Sequence, residues 1–216
     1  MQKLNILLII IAAILFSSCV VTEEHPRNED AVSAIKAVIQ NERQFYCGED
    51  GSLLYLKDFN SSNYLYLTDD AQLIYTKGNE AIGEYSFDKV CVQDIDNDGL
   101  PEILIITEPV GDIFIFHYEN DAVYEFTFPY RGMLNLKQDG SFASSGASSN
   151  YYIGMLKFDG STCSYEELCV FDETDANNVQ FRINGKNSTR SDVEIYINNF
   201  DEKEDALWID WESWND

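Results

Sequence analysis

The residues best suited to chemistry lie in one short acidic segment, residues 94–102, with the sequence DIDNDGLPE. Three aspartates alternate along this Asp loop, so their carboxylates turn toward one point if the backbone curls, and Gly99 supplies the freedom that such a curl requires. Carboxylate oxygens are the ligands that hard divalent cations prefer. The spacing therefore predicts a metal site formed by Asp94, Asp96, Asp98 and Glu102.

Two predicted β-strands position the Asp loop. Residues 89–93 and 103–106, on either side of it, are runs of apolar and β-branched residues, which is typical of buried strands. A turn between two buried strands is held in place. A solvated turn remains the alternative interpretation, because Asp, Asn and Gly are also the residues that turns select, and Pro101 suits the start of an edge strand.

The sequence DIDNDGLPE resembles the Asp-x-Asp-x-Asp-Gly-x-x-Asp/Glu loops of the FG-GAP and VCBS repeats of extracellular proteins. The resemblance implies calcium as the bound ion. An EF-hand fits less well, because its twelfth loop position requires a bidentate Glu and is here Ile105, and because helices flank that motif. Magnesium is a weaker candidate, since it keeps most of its waters. The motif occurs once, which argues against a repeat protein such as a propeller.

The start of the chain predicts export. Residues 6–16 are uninterruptedly apolar and follow Lys3. The run is about half the ~20 residues that span a bilayer, so it is typical of a signal peptide rather than of a transmembrane helix.

A membrane anchor is predicted directly after this run. The sequence Phe16-Ser17-Ser18-Cys19 resembles the lipobox of bacterial lipoproteins, which implies removal of residues 1–18 and a lipid on Cys19. Residues 19–27 are then a tether, and residues 28–216 a single domain at the outer face of the cell membrane. Cleavage near Ser18 without lipidation, giving a secreted protein, is the alternative.

The charge of the chain limits its partners. Its 216 residues include 38 acidic residues and 14 Lys and Arg, for a net charge of −24. Such a surface repels phosphates and anionic lipids, so we expect no nucleic-acid binding and no membrane contact except through the lipid on Cys19. It also concentrates cations, which favours calcium, although most of the carboxylates are expected to serve solubility.

Four cysteines follow the tether, namely Cys47, Cys91, Cys163 and Cys169. An even number in an exported protein permits two disulfides in three possible pairings, and the sequence leaves their formation open. Cys91 lies in an apolar strand and is expected to be buried. Cys163 and Cys169 can pair only if a turn separates them, because along one strand they are about 20 Å apart.

The remaining pattern predicts a mainly β (α+β) fold. An apolar stripe at helical spacing over residues 31–43 predicts an N-terminal amphipathic helix. Strands are predicted at residues 53–56, 64–67, 72–75, 83–87, 113–118, 123–128, 133–136, 153–158, 167–171 and 179–183, with a hairpin turn at 119–121. Ser191 and Glu194 match a capping box and favour a short C-terminal helix. We expect one antiparallel domain, as a sandwich or a twisted sheet.

The sequence shows no catalytic constellation. His25 lies in the tether, and His117 lies in an aromatic strand where packing outweighs catalysis. The sequence contains no nucleophile elbow and no phosphate-binding loop. A glycosidase-type acid pair cannot be located among 38 carboxylates. Trp208, Trp211 and Trp214 are expected to pack on the sheet, with an exposed patch for a sugar or a protein as the alternative.

Longer segments resemble a family of uncharacterised secreted lipoproteins from low-GC Gram-positive bacteria. These segments are residues 34–59, the Asp loop, residues 130–150 and the closing DALWIDW. The resemblance implies a location at the cell surface and implies no known activity. We therefore expect a non-enzymatic binding or structural module with a calcium-stabilised loop and an unidentified protein or glycan ligand. An extracellular glycan hydrolase that uses paired carboxylates is the alternative.

Overall fold

A computed structural model describes residues 28–59, 63–67, 73–77, 86–109, 111–145, 149–176 and 179–215. The predicted signal peptide, Cys19 and the tether lie outside these residues, as does most of the predicted strand 83–87. The described chain is mainly β, with an N-terminal helix and a short C-terminal one, which confirms the predicted fold class. None of the described helices is long and apolar enough to span a membrane.

The helices are α1 (Asn28–Ile39), α2 (Arg190–Asp201) and α3 (Trp211–Asn215), with a short 3-10 turn at Leu56–Asp58. The strands are β1 (Phe45–Cys47), β2 (Leu53–Leu54), β3 (Asn63–Leu67), β4 (Leu73–Lys77), β5 (Ser86–Gln93), β6 (Glu102–Glu108), β7 (Ile113–Glu119), β8 (Ala122–Phe128), β9 (Phe142–Ser144), β10 (Asn150–Asp159), β11 (Thr162–Asp172), β12 (Gln180–Ile183), β13 (Lys186–Asn187) and β14 (Ile209–Asp210).

These strands form three sheets. The first has seven strands in the order β14-β5-β6-β7-β8-β1-β2, the second has five in the order β13-β12-β11-β10-β9, and β3 and β4 form a separate hairpin. Neighbouring strands are antiparallel except β1 and β8, which run parallel.

The seven-stranded sheet is covered on both faces, which explains the unbroken apolar runs of its central strands. In β6, Ile103 and Ile105 belong to the core cluster beneath α1, whereas Leu104 belongs to the cluster on the opposite face. Phe116 and Ile115 of β7 divide in the same way. Because successive side chains of a strand point to opposite faces, burial on both sides favours apolar residues at consecutive positions.

Helix α2 covers the five-stranded sheet in a third cluster. Its Val193 and Phe200 are both 0% exposed and pack with Ile153 and Cys169. Helix α1 contributes the fully buried Ile35 to the first sheet. Helices α1 and α2 thus each cover the outer face of one sheet. The inner faces of the two sheets enclose a middle cluster that includes Leu104, Ile115, Phe142 and Leu156.

The strand predicted at 53–56 ends at Leu54, and the helix predicted to residue 43 ends at Ile39. Two further local predictions are wrong. Residues 133–136 form no strand, only an isolated bridge between Leu134 and Ala143, because Asn135 adopts a positive φ of 49° that interrupts an extended chain. The cap of α2 is Thr189, whose Oγ1 accepts the N–H of Asp192 at 3.2 Å, rather than Ser191. The predicted hairpin turn is confirmed, since β7 ends at Glu119 and β8 starts at Ala122.

The cysteines and tryptophans are structural. All four cysteines of the described chain are free, and Cys163 and Cys169 share strand β11. The Trp211 ring lies 4.6 Å from Phe87 and 5.4 Å from Trp214, in contact with the cluster beneath α1. The packed interpretation of the tryptophans is therefore correct, and the exposed patch is wrong.

Glu125 is a buried carboxylate outside the Asp loop, paired in register with Cys47 of the cluster beneath α1. Glu125 in β8 is 2% exposed and accepts a hydrogen bond from Thr127 Oγ1. Burial raises the pKa of Glu125 to about 8, and the charge of Glu49 adds to that effect. The folded protein therefore keeps this proton over a pH range in which the unfolded chain releases it.

Replacement of Gly140 by alanine is expected to strongly destabilise the fold. A Cβ at Gly140 would lie 2.3 Å from the Ile95 carbonyl oxygen, and its φ is +82°. Gly140→Ala should lower the free energy of unfolding by about 2–5 kcal/mol, from backbone strain and overpacking together. Gly185→Ala is the matched control, with φ +68° and no atom within 4 Å, and should cost about 1–2 kcal/mol. Equal costs in urea unfolding would show that the 140 turn does not contact Ile95.

Stability should fall with rising pH because of Glu125. The stabilising contribution of its proton is complete below about pH 4.5 and is lost as the pH rises to about 8. Glu125→Gln removes this dependence, so its free energy of unfolding should match the native value near pH 4.5 and exceed it by about 2–4 kcal/mol at pH 8.5. Urea unfolding at both pH values measures the difference. Glu166→Gln, at an exposed site, is the control and should not change the free energy of unfolding at either pH. If Glu125→Gln stabilised the protein equally at both pH values, Glu125 would not be the source of the pH dependence.

Candidate metal centre

The Asp loop joins the antiparallel neighbours β5 and β6, whose last paired residues are Gln93 and Glu102. Strand β6 lies between β5 and β7 in the seven-stranded sheet, so the ends of the loop are fixed by backbone pairing between β5 and β6. Asn97 and Gly99 have positive φ values of 62° and 96°. These two residues turn the chain back on itself, as expected for Asn and Gly.

Each aspartate of the loop accepts a main-chain N–H from within the loop. Asp94 Oδ2 accepts from Gly99 at 3.0 Å, and Asp96 Oδ1 accepts from Asp98 at 3.0 Å. Asp98 Oδ1 accepts from Leu100 at 2.7 Å. The backbone therefore curls around its own carboxylates, which is the curl that the alternating spacing predicts.

Glu102 closes the loop from inside the core. It is 0% exposed. Its Oε2 accepts the main-chain N–H of Ile95 at 2.9 Å, and its Oε1 lies 2.9 Å from Nδ1 of His117. Both oxygens of this buried carboxylate are thus hydrogen-bonded, which offsets much of the cost of its burial.

Three of the four predicted ligands converge. Asp94, Asp96 and Glu102 each place one carboxylate oxygen within 4.8 Å of the other two. Asp98 is exposed and is not part of this group. Its carboxylate instead binds the Leu100 N–H.

The donor atoms fit a hard cation. The three converging residues offer only carboxylate oxygens, which suits calcium and does not suit a metal that prefers nitrogen or sulfur. One oxygen, Asp94 Oδ1, is buried and has no hydrogen-bond partner among the described residues. Buried carboxylate oxygens normally accept a hydrogen bond. One that accepts none, within a group of carboxylates, is consistent with a site for a cation.

The electrostatics of the centre depend on the pair formed by Glu102 and His117. Burial raises the pKa of Glu102 to about 7, although its bonds to His117 and Ile95 favour the charged form. Burial alone lowers the pKa of His117, but the hydrogen bond to Glu102 and the charges of Glu102 and Asp96 outweigh it and raise that pKa. The two groups share one hydrogen bond and titrate as a pair.

The loop also contacts the five-stranded sheet. Asp96 is 4% exposed, and its Oδ2 accepts the main-chain N–H of Phe158 at 3.3 Å. The ammonium group of Lys157 donates to the main-chain carbonyl of Asp96. The Phe158 ring stacks on His117 with a centroid distance of 4.7 Å and an interplanar angle of 21°. Two adjacent residues of β10 thus bind the same loop that β5 and β6 hold.

His117 is the residue of this centre that sequence reasoning missed. The aromatic strand correctly indicated a packed histidine, and His117 is 1% exposed. Its partner could have been found from register, because the pairing of Ile103 with Phe116 in adjacent strands sets Glu102 opposite His117. No signal local to either residue reveals the contact.

The chain matches no family model, and neither the curated proteins nor the solved structures contain a significant match to it.

Proposed function

We propose that this protein is a cell-surface lipoprotein module whose β fold is stabilised by calcium at the Asp loop, with a binding or structural role rather than a catalytic one. One observation carries the calcium assignment. Carboxylate oxygens of Asp94, Asp96 and Glu102 lie within 4.8 Å of one another, and Asp94 Oδ1 is buried with no hydrogen-bond partner in the described chain.

The proposed ligands are Asp94, Asp96 and Glu102, with Asp98 adding negative charge at the edge of the site. A bound calcium ion supplies the positive charge that offsets their mutual repulsion, which is about 3 kcal/mol for two carboxylates 5 Å apart at an effective dielectric of 20. Calcium suits this set better than magnesium, because it accepts irregular groups of six to eight oxygens whereas magnesium requires a near-ideal octahedron. The ion therefore completes a loop that the hydrogen bonds already shape.

The proposed location at the cell surface is supported by the sequence alone. The apolar run of residues 6–16 and the lipobox-like sequence ending at Cys19 favour export and a lipid anchor. The net charge of −24 supports attachment through the lipid rather than through the protein surface. Calcium is abundant outside cells, which agrees with this location.

The hydrolase alternative gains no support from one cavity that described residues line, between the three sheets. Its walls contain tyrosines, phenylalanines, leucines and one arginine, but no Asp or Glu. A glycosidase needs two carboxyl groups across the scissile bond, about 5–10 Å apart. We therefore retain the non-enzymatic proposal.

Thermal unfolding tests the calcium assignment. At 100 times its dissociation constant, calcium should add about 2.7 kcal/mol, or about 5–10 °C in melting temperature for a domain of this size. Magnesium should add less. Asp94→Asn should fold in the presence of chelator, because the amide oxygen still accepts the Gly99 N–H, and should lose most of the calcium-induced increase.

The control for this test is Asp210→Asn, which removes the same charge from an exposed residue of β14. It should keep the full response to calcium. Identical melting temperatures in calcium and in chelator for the native protein would reject the site. A response that Asp94→Asn retains would assign calcium to another place.

Membrane fractionation tests the anchor. Cys19→Ser removes the thiol that carries the lipid, so the protein should move from the membrane fraction to the soluble or secreted fraction. Ser18→Ala keeps a small residue before the cysteine and should leave the protein in the membrane fraction. A native protein that is already soluble would contradict lipidation.

A further inference from the structure

A cavity of about 280 Å³ lies where the three sheets meet, away from the Asp loop. The hairpin β3–β4 contributes Leu65 and Leu73, the end of β8 contributes Phe128, and the five-stranded sheet contributes Phe142 and Tyr165. These side chains give it apolar and aromatic walls. Its volume is just below the ~300–1,000 Å³ of pockets for drug-sized ligands, which suits a smaller molecule.

Two buried hydroxyl groups belong to residues that line this cavity. Ser144 is 6% exposed, and its Oγ is buried with no hydrogen-bond partner in the part of the chain that the structure describes. The hydroxyl oxygen of Tyr165 is also buried and has no hydrogen-bond partner among the described residues. A buried hydroxyl without a partner costs about 1–3 kcal/mol. Both hydroxyl oxygens are closed to solvent in this structure, so contact with a ligand depends on Arg131 and on the apolar walls.

Arg131 places a positive charge at the same cavity. The other three arginines of the described chain form salt bridges, namely Arg43, Arg182 and Arg190. Arg131 forms none there, and its guanidinium makes one weak hydrogen bond, to Ser145 Oγ at 3.4 Å. An arginine without a carboxylate partner is notable in a chain with 38 acidic residues. Its charge is available to an anionic ligand.

The backbone holds Arg131 in this place. Its φ is +74°, a left-handed conformation that costs a residue with a side chain about 1–2 kcal/mol. The preceding Tyr130 donates its main-chain N–H to Asp112 Oδ1 at 3.3 Å, and the Tyr130 ring is 64% exposed beside the cavity. Asp112 itself is 1% exposed and is not among the lining residues.

We propose that this cavity binds a small organic anion with an aromatic or apolar body, whose anionic group pairs with Arg131 and whose body lies against Leu65, Phe128 and Phe142. The proposal goes beyond calcium binding. The cavity and the Asp loop share no residue, so failure of one proposal leaves the other standing.

Benzoate and its neutral isostere benzamide are the probes, and ligand-observed NMR titration on the purified protein is the measurement. Benzoate should bind with a dissociation constant in the millimolar range or tighter, as expected for so small a ligand. Benzamide should bind about fivefold more weakly, the factor expected for one partly solvated ion pair. Excess calcium in every sample keeps the Asp loop in one state.

Arg131→Gln locates the site, because it removes the charge and preserves most of the side chain. The variant should bind benzoate as weakly as the native protein binds benzamide, and its affinity for benzamide should equal that of the native protein. Arg190→Gln removes the same charge from an exposed ion pair on α2 and should keep the native preference. The proposal is overturned if benzoate does not bind, if the native protein does not prefer it to benzamide, or if Arg131→Gln keeps the preference.

Discussion

The geometry of the Asp loop depends on the two hydrogen bonds of the buried Glu102 carboxylate. Glu102 is 0% exposed, and its carboxylate joins the first turn of the Asp loop, through the N–H of Ile95, to His117 of the neighbouring strand. A carboxylate that leaves water costs several kcal/mol unless its oxygens are bonded. Glu102 can therefore be buried only when the loop and β7 are both in place. The core thus shapes the acidic loop, which is more than a surface turn between two strands.

Asp96 extends this constraint to the second sheet. Its Oδ1 is used within the loop and its Oδ2 accepts the N–H of Phe158 in β10. The turn at Gly140 packs against the Ile95 carbonyl, too closely for a side chain. Three segments that are distant in sequence therefore meet at one short loop. This explains why a site that is local in sequence can affect the stability of the whole fold.

The sequence predicts what depends on local pattern and fails where geometry comes from distant parts of the chain. The apolar runs of β6 and β7 were found because a strand buried on both faces is apolar throughout. The convergence of Asp94, Asp96 and Glu102 was expected from residue types and spacing, whereas Asp98 lies outside the group. The contact between Glu102 and His117 depends on the register of two strands. The strand predicted at residues 133–136 failed because apolar composition does not report the positive φ of Asn135.

The cavity near Arg131 shows the same limit more strongly. Its walls come from three sheets, and none of the lining positions forms a motif with another. An arginine between Tyr130 and Gly132 in a loop carries no sequence signal for a ligand. Only the packed structure shows that, among the residues it describes, this arginine has no carboxylate partner and Ser144 Oγ has no hydrogen-bond partner.

Aromatic packing joins the seven-stranded sheet to the five-stranded sheet. Aromatic contacts run through the middle layer, from Phe158 against His117 and Phe126 to Phe142 against Phe128 and Tyr165. Each buried aromatic side chain contributes about 1.5–3 kcal/mol, so a few of them exceed the ~2.7 kcal/mol that the proposed calcium would add at 100 times its dissociation constant. The proposed calcium ion would therefore be an increment to this packing, acting at the loop. The same aromatic layer forms part of the cavity wall, so one set of contacts holds the sheets together and shapes the space between them.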